Sequence, residues 1–336
     1  MSEKFEKLTK CLYCGSSNLK YLYTSIDRFS NNKEEKFELS KCLSCGFVFQ
    51  SLRVKEEYIG EYYEGRDDLA FSLIPQKKKN STFSKIKKAI FKQTMLQHFN
   101  YRSLGKKNLL FKIFSWPFKR VLKIKLTPVF VEKGKLLEIG CSYGGYLQEL
   151  KDLGWNVVGR ELDKGMVEYA QSTGLNVSAG RIEEIDFKDG EFNVVIMSMV
   201  LEHLYEPFVM LDRATKWLSS NGQLIFSIPN IDGLEFYFYK EYTYALQLPH
   251  HITFLDKKII REYLTKIGYK KIKFYYQFFD REAVASAGYK YEETSKKIYK
   301  VIHGNKLIRY VFIKPLIFIL SLLGMTSRVT VHAVKK

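Results

Sequence analysis

Leu136-Leu137-Glu138-Ile139-Gly140-Cys141-Ser142-Tyr143-Gly144-Gly145 is the stretch on which the fold turns. An apolar run ends in small residues at 140, 142 and 144, which let backbone approach a ligand closely while the N–H groups of a following helix face it. Downstream, Asn156–Arg160, Asn176–Ala179, Val194–Met197 and Leu224–Ile228 read as further strands, each followed by a polar or helical stretch, as a parallel sheet requires. Lys271–Phe278 and Arg328–Val334 alternate well enough to add two more, and Asp256 reads as the N-cap of a helix over Lys257–Ile267. The expected fold class is α/β, a seven-stranded sheet with helices on both faces. Between the last two strands, Asp280–Ser327 must be a helical excursion.

From Lys135 to Asn230 the chain resembles the class I S-adenosylmethionine-dependent methyltransferases, with several motifs in order. Glu138-Ile-Gly140-Cys141-Ser142-Tyr143-Gly144 is similar to their glycine-rich first motif, with Ser142 in place of the usual middle glycine. The resemblance implies a Rossmann-like sheet and a donor site on these residues, where Tyr143 packs on the donor or lines the core. Val158-Gly-Arg-Glu161-Leu162 matches the second-strand end, so Glu161 is expected on the ribose hydroxyls. Gly180-Arg181-Ile182 lies where the family contacts adenine, although Arg181 stands where many members carry an Asp. Ser198-Met199-Val-Leu-Glu202-His203 follows the fourth strand, and Ser198 and Met199 complete the expected donor contacts.

Five cysteines include two C-x2-C pairs, Cys11/Cys14 and Cys42/Cys45, each followed by glycine and separated by 27 residues. Two such knuckles can present four thiolates to one Zn2+ in a closed structural site, whereas a disulfide framework fits this usage less well. Lys20–Ser25 and Lys36–Leu39 read as a hairpin between them, with Ser30 to Lys33 at its tip. The combination of a four-cysteine module, here a zinc ribbon, with such a domain is similar to bacterial methyltransferases associated with sugars and surface polysaccharides. Pro249-His250-His251-Ile-Thr-Phe-Leu-Asp256 resembles the acceptor-facing loop of that group. A hydroxyl acceptor must lose one proton, and histidine is the natural base. The expected order of candidates is His251, His250 and then His203.

Charge is unevenly placed. Leu69–Val131 holds 15 Lys or Arg and no acid, and Thr294–Lys336 holds 9 more, so these segments carry +24 of a net +18 and the remainder is −6. Both are interleaved with Phe, Leu and Ile at helical spacing, as in Phe83, Ile86, Ala89, Ile90 and in Leu110, Ile113, Phe114, Phe118, Leu122. Such segments serve either as a helical cover with solvated lysines or as a platform on an anionic membrane. The expected organisation is a zinc-binding module over 1–63, a basic amphipathic linker over 64–131, the Rossmann-like domain over 132–280, an insertion over 281–327 and a last strand over 328–336. No secretory signal or spanning run is visible, so the expected location is cytoplasmic, with a peripheral place on the inner face of the cell membrane. The expected function is methyl transfer to a sugar or a lipid-linked polysaccharide precursor. An RNA methyltransferase and a non-catalytic binding protein retaining the fold are the alternatives.

Overall fold

The computed structural model describes residues 3–29, 33–63, 82–108, 111–181, 184 and 186–336. Its main sheet is centred on β5 (Lys135–Ile139), with β6 (Asn156–Glu161) and β7 (Val177–Ala179) to one side and β8 (Phe192–Ser198) and β9 (Leu218–Pro229) to the other, all parallel to it. β12 (Arg328–Lys335) joins β9 antiparallel, with Phe226 opposite Val331, and β11 (Tyr269–Tyr276) closes that edge, also antiparallel. All seven expected strands are present. Leu136, Leu137, Val194, Val195, Ile196 and Met197 are fully buried, the near-continuous apolar runs of strands covered on both faces. The strand order changes direction at β5, and ligands bind beyond the strand ends at such a point.

A second sheet draws its four main strands from the first 63 residues. β1 (Phe5–Lys7), β4 (Val48–Val54), β3 (Lys36–Cys42) and β2 (Leu19–Ile26) lie side by side in that order. The hairpin tip at 30–32 lies outside the described residues. β10 (Thr253–Phe254) pairs with the other end of β4, Thr253 opposite Phe49 and Phe254 opposite Val48. The Gln50 amide adds to that seam, its Nε2 donating to the carbonyls of Pro249 and His251 at 2.8 Å each. This sheet shares the main core. Cys11, Cys42, Phe47 and Phe49 sit in one buried cluster with Met210, Leu211 and Leu264, and the Tyr13 ring centre is 4.7 Å from that of Phe208.

Residues 64–81 of the expected linker lie outside the described residues, while helices Thr82–His98 and Trp116–Ile124 cover the opposite face of the main sheet. Phe99, Tyr101 and Leu122 close over Leu136, Leu147, Trp155 and Ile225. The indole N–H of Trp155 donates to the Tyr101 hydroxyl at 3.0 Å, which gives both buried polar tips a partner. Lys123 is buried here, its ammonium donating to His332 Nδ1 at 3.3 Å. Burial, with Lys119 and Lys273 adding repulsion, lowers it to about 7.

Candidate active site

At the C-terminal ends of β5, β6 and β8 lies a cavity of about 410 Å3, within the roughly 300–1,000 Å3 of small-ligand sites. Gly140, Glu161, Leu162 and Arg181 wall one side, and Met199, Val200, His203 and Tyr205 wall another. A third wall comes from the short helix Glu56–Tyr62 and from Tyr63, at the exit of the second sheet. Glu56 forms an ion pair with Arg181 between those walls, and the Tyr205 hydroxyl donates to the Val54 carbonyl at 2.7 Å.

The glycine-rich turn is built for close approach. Gly140 has φ +69°, and a Cβ there would lie 2.7 Å from Val200 Cγ2, while at Gly144 (φ +79°) it would lie 2.4 Å from Leu175 Cδ1. Glu161 ties this turn to the end of β6. Its Oε2 accepts from Ser142 N–H at 2.7 Å, and its Oε1 accepts from the N–H groups of Leu162 (2.7 Å) and Asp163 (3.1 Å). Of the residues expected to touch a donor, Gly140, Glu161, Leu162, Arg181 and Met199 are on the wall, and Ile182 lies outside the described residues. Glu138, Cys141, Ser142, Tyr143, Gly144 and Ser198 stand behind it. Cys141 is buried in the cluster with Phe99 and Tyr101, the Ser198 hydroxyl meets that of Ser227 at 3.3 Å, and the ring of Tyr143 lies over Gly145 and beside Tyr169. Glu138 is fully buried, and its Oε2 has no hydrogen-bond partner among the described residues; burial, helped by Glu161 and Glu149, pushes its carboxyl up to about 8.

The three histidines cluster, but only His203 lines the cavity. Its Nδ1 is 2.9 Å from the Tyr63 hydroxyl. His251 is buried behind it, ring centres 4.7 Å apart, with Nδ1–H donating to the Ala245 carbonyl at 2.8 Å. Burial, then the charge of His203, holds His251 well below the usual imidazole range. His250 is buried too, donating from Nε2 to the Tyr62 carbonyl at 2.9 Å. The pairing of β10 with β4 draws both side chains inward, which the loop's sequence did not signal. Glu202 is the residue that the sequence reading passed over. It is buried, neither carboxyl oxygen has a hydrogen-bond partner among the described residues, and burial raises it to about 8 against the opposing charge of Arg328. One oxygen of Glu202 and one ring nitrogen each of His203 and His251 lie within 4.8 Å of one another.

Away from the cavity, Cys11, Cys14, Cys42 and Cys45 bring their four Sγ atoms within 4.8 Å of one another, with Cys11–Cys45 and Cys14–Cys42 each 3.6 Å apart. Four sulfurs about 2.3 Å from a tetrahedral Zn2+ stand roughly 3.8 Å apart, whereas a disulfide needs about 2.05 Å. The set fits the ion.

A family model described as "Methyltransferase domain" matches residues 117–273. An uncharacterized protein of Methanocaldococcus jannaschii is 29% identical over 144 residues, 43% of this chain and 68% of that protein. A ubiquinone biosynthesis O-methyltransferase of Methylococcus capsulatus is 27% identical over 103 residues, and the chain covers 44% of its length. Among solved structures, an S-adenosylmethionine-dependent methyltransferase of Archaeoglobus fulgidus is 17% identical with a TM-score of 0.42, over 68% of this chain and all of that one. Residues 117–273, the part that matches the methyltransferase domain model, span the glycine turn, the carboxylate that closes on it and the strand ends that wall the cavity.

Proposed function

We propose that the chain methylates a hydroxyl of a sugar or of a lipid-linked polysaccharide precursor, and that Cys11, Cys14, Cys42 and Cys45 hold a structural Zn2+. The observation that carries the reading is that Glu161 and His203 face one cavity. When bound, the sulfonium donor supplies an electrophilic methyl group. Glu161, already held by three backbone N–H groups, keeps lone pairs for the ribose hydroxyls, so little reorganisation is required of it. Gly140 admits the donor where any side chain would meet Val200.

On the facing wall, His203 takes the acceptor's proton on its imidazole, whose Nδ1 is fixed 2.9 Å from the Tyr63 hydroxyl. His250 and His251, anchored to backbone carbonyls, position that wall. Two observations support a polyhydroxyl acceptor. Glu56 and Glu57 line the cavity beside the rings of Tyr63 and Tyr205, and carboxylates accept from neighbouring hydroxyls. The relatives include enzymes named as O-methyltransferases. The same acids oppose RNA, and the cations on the wall, Arg160 and Arg181, belong to neither acid-free segment.

Incubating the protein with labelled donor and separated cell fractions tests the reading. Label is expected in the lipid or sugar-nucleotide fraction. Label in RNA would overturn the acceptor, and donor binding without transfer to any fraction would leave a binding protein.

A further inference from the structure

We infer that the chain docks on an anionic lipid bilayer through the helical run Lys306–Leu323 together with the start of the helix Trp116–Ile124. The run comprises three consecutive helical pieces, Lys306–Ile308, Arg309–Ile313 and Lys314–Leu323. At 1.5 Å per residue it is about 27 Å long. A helix that covers a core buries an apolar stripe about a third of its circumference wide. This one buries only Ile317 and Ser321. Leu307, Tyr310, Phe312, Ile319, Leu322 and Leu323 are each between 53% and 71% exposed, and other large apolar side chains stand exposed between them. Monomeric proteins seldom leave such a contiguous apolar surface to water.

The surface continues into the other acid-free segment. Arg120 donates from Nη2 to the Ser321 carbonyl at 2.7 Å and to its hydroxyl at 3.0 Å, which clamps the two helices together. Trp116 is four residues before Arg120, so it shares that helix face. It is 70% exposed, and Ile113 and Phe114 before it are 81% and 74% exposed. Trp is the residue favoured at the boundary between lipid and water.

Charge selects the occupant. No acid occurs in 69–131 or 294–336, and Lys112, Lys119, Lys306 and Lys314 accompany the exposed apolar side chains. A second copy seated on this face would set cations against cations. A layer of anionic headgroups over acyl chains meets both the charge and the apolar surface. No described helix is long and apolar enough to cross a membrane, so the run lies along the interface. None of this depends on which acceptor enters the cavity.

The test is co-sedimentation of the full chain with phosphatidylcholine vesicles, with and without phosphatidylglycerol, in the presence of competitor RNA, alongside Trp emission. Trp155 and Trp217 are buried, so Trp116 is the indole that can report. Binding to the phosphatidylglycerol vesicles with a blue shift that vanishes in Trp116→Phe is expected. Lys306→Glu with Lys314→Glu should weaken binding by well over tenfold, at about fivefold per cation lost. Phe312→Asp with Leu322→Asp should abolish it while donor binding and the melting temperature stay unchanged, because both side chains are exposed. Failure to sediment with either vesicle type, displacement by RNA, or self-association of the free chain through this face without vesicle binding would each overturn the inference.

Discussion

Glu161 both closes the glycine turn on β6 and faces the cavity, so its removal acts twice. Glu161→Ala deletes the proposed ribose acceptor and the partner of Ser142 N–H, and calorimetry should show donor binding weaker by about 1.5–3 kcal/mol. Gly140→Val should weaken it further, since the new side chain meets Val200 at a φ that a branched residue resists. For proton removal, His203→Gln should lower kcat by ~10²–10⁴ with donor affinity unchanged. His251→Gln, whose ring reaches no cavity wall, should act more through stability than through kcat. If steady-state kinetics show the larger kcat loss at His251, the assignment of the base to His203 fails.

Among the elements, β4 has the widest reach. It pairs with β1 and β3 in its own sheet and with β10 from nearly two hundred residues further along. The knuckle cysteines Cys11 and Cys42 share a cluster with the main-domain core, so loss of the proposed Zn2+ should reach beyond the second sheet. Metal analysis should return about one Zn2+ per chain, and a strong chelator or Cys42→Ser should lower the melting temperature of the whole chain in a single calorimetric transition. A separate low-temperature transition would show instead that the module unfolds alone. The strands of the main sheet were legible because burial on both faces writes them as uninterrupted apolar runs, and the glycine turn because few residue types tolerate its backbone. β10 was not legible. Two residues have no periodicity, and its partner is fixed by tertiary packing rather than by any neighbour in sequence. That one pairing decides which histidine meets the cavity, which is why the order expected from the loop placed two buried residues ahead of His203.

For the molecule as a whole, the buried titratable groups set how stability follows pH. Glu138 and Glu202 are raised to about 8 from 4.5, chiefly by burial, so the folded chain keeps protons that the unfolded chain releases between those values. Their contribution is complete below pH 4.5 and is lost as pH rises towards 8. His251 and His332, lowered by burial from 6.5, act in the opposite sense, with stability gained as pH rises to 6.5. Lys123, lowered to about 7 from 10.5, adds a gain above pH 7. The carboxyls therefore act unopposed by the other three only between about pH 6.5 and 7. Denaturant unfolding at pH 6, 6.5, 7 and 8 should show stability declining from 6.5 to 7, with a shallower decline in Glu138→Gln. An unchanged slope in that variant would mean that Glu138 does not carry a proton in the folded state.

The cavity is walled by two parts of the chain that lie far apart in sequence. Residues 56–63 supply one wall and the strand ends between 140 and 205 the others, joined across the gap by Glu56 with Arg181 and by Tyr205 with Val54. Mutations in the short stretch 56–63 can reshape what the acceptor side admits while the glycine turn and Glu161 stay as they are. Grafting 56–63 between two proteins of this architecture should therefore move acceptor preference with it while donor affinity stays as it is.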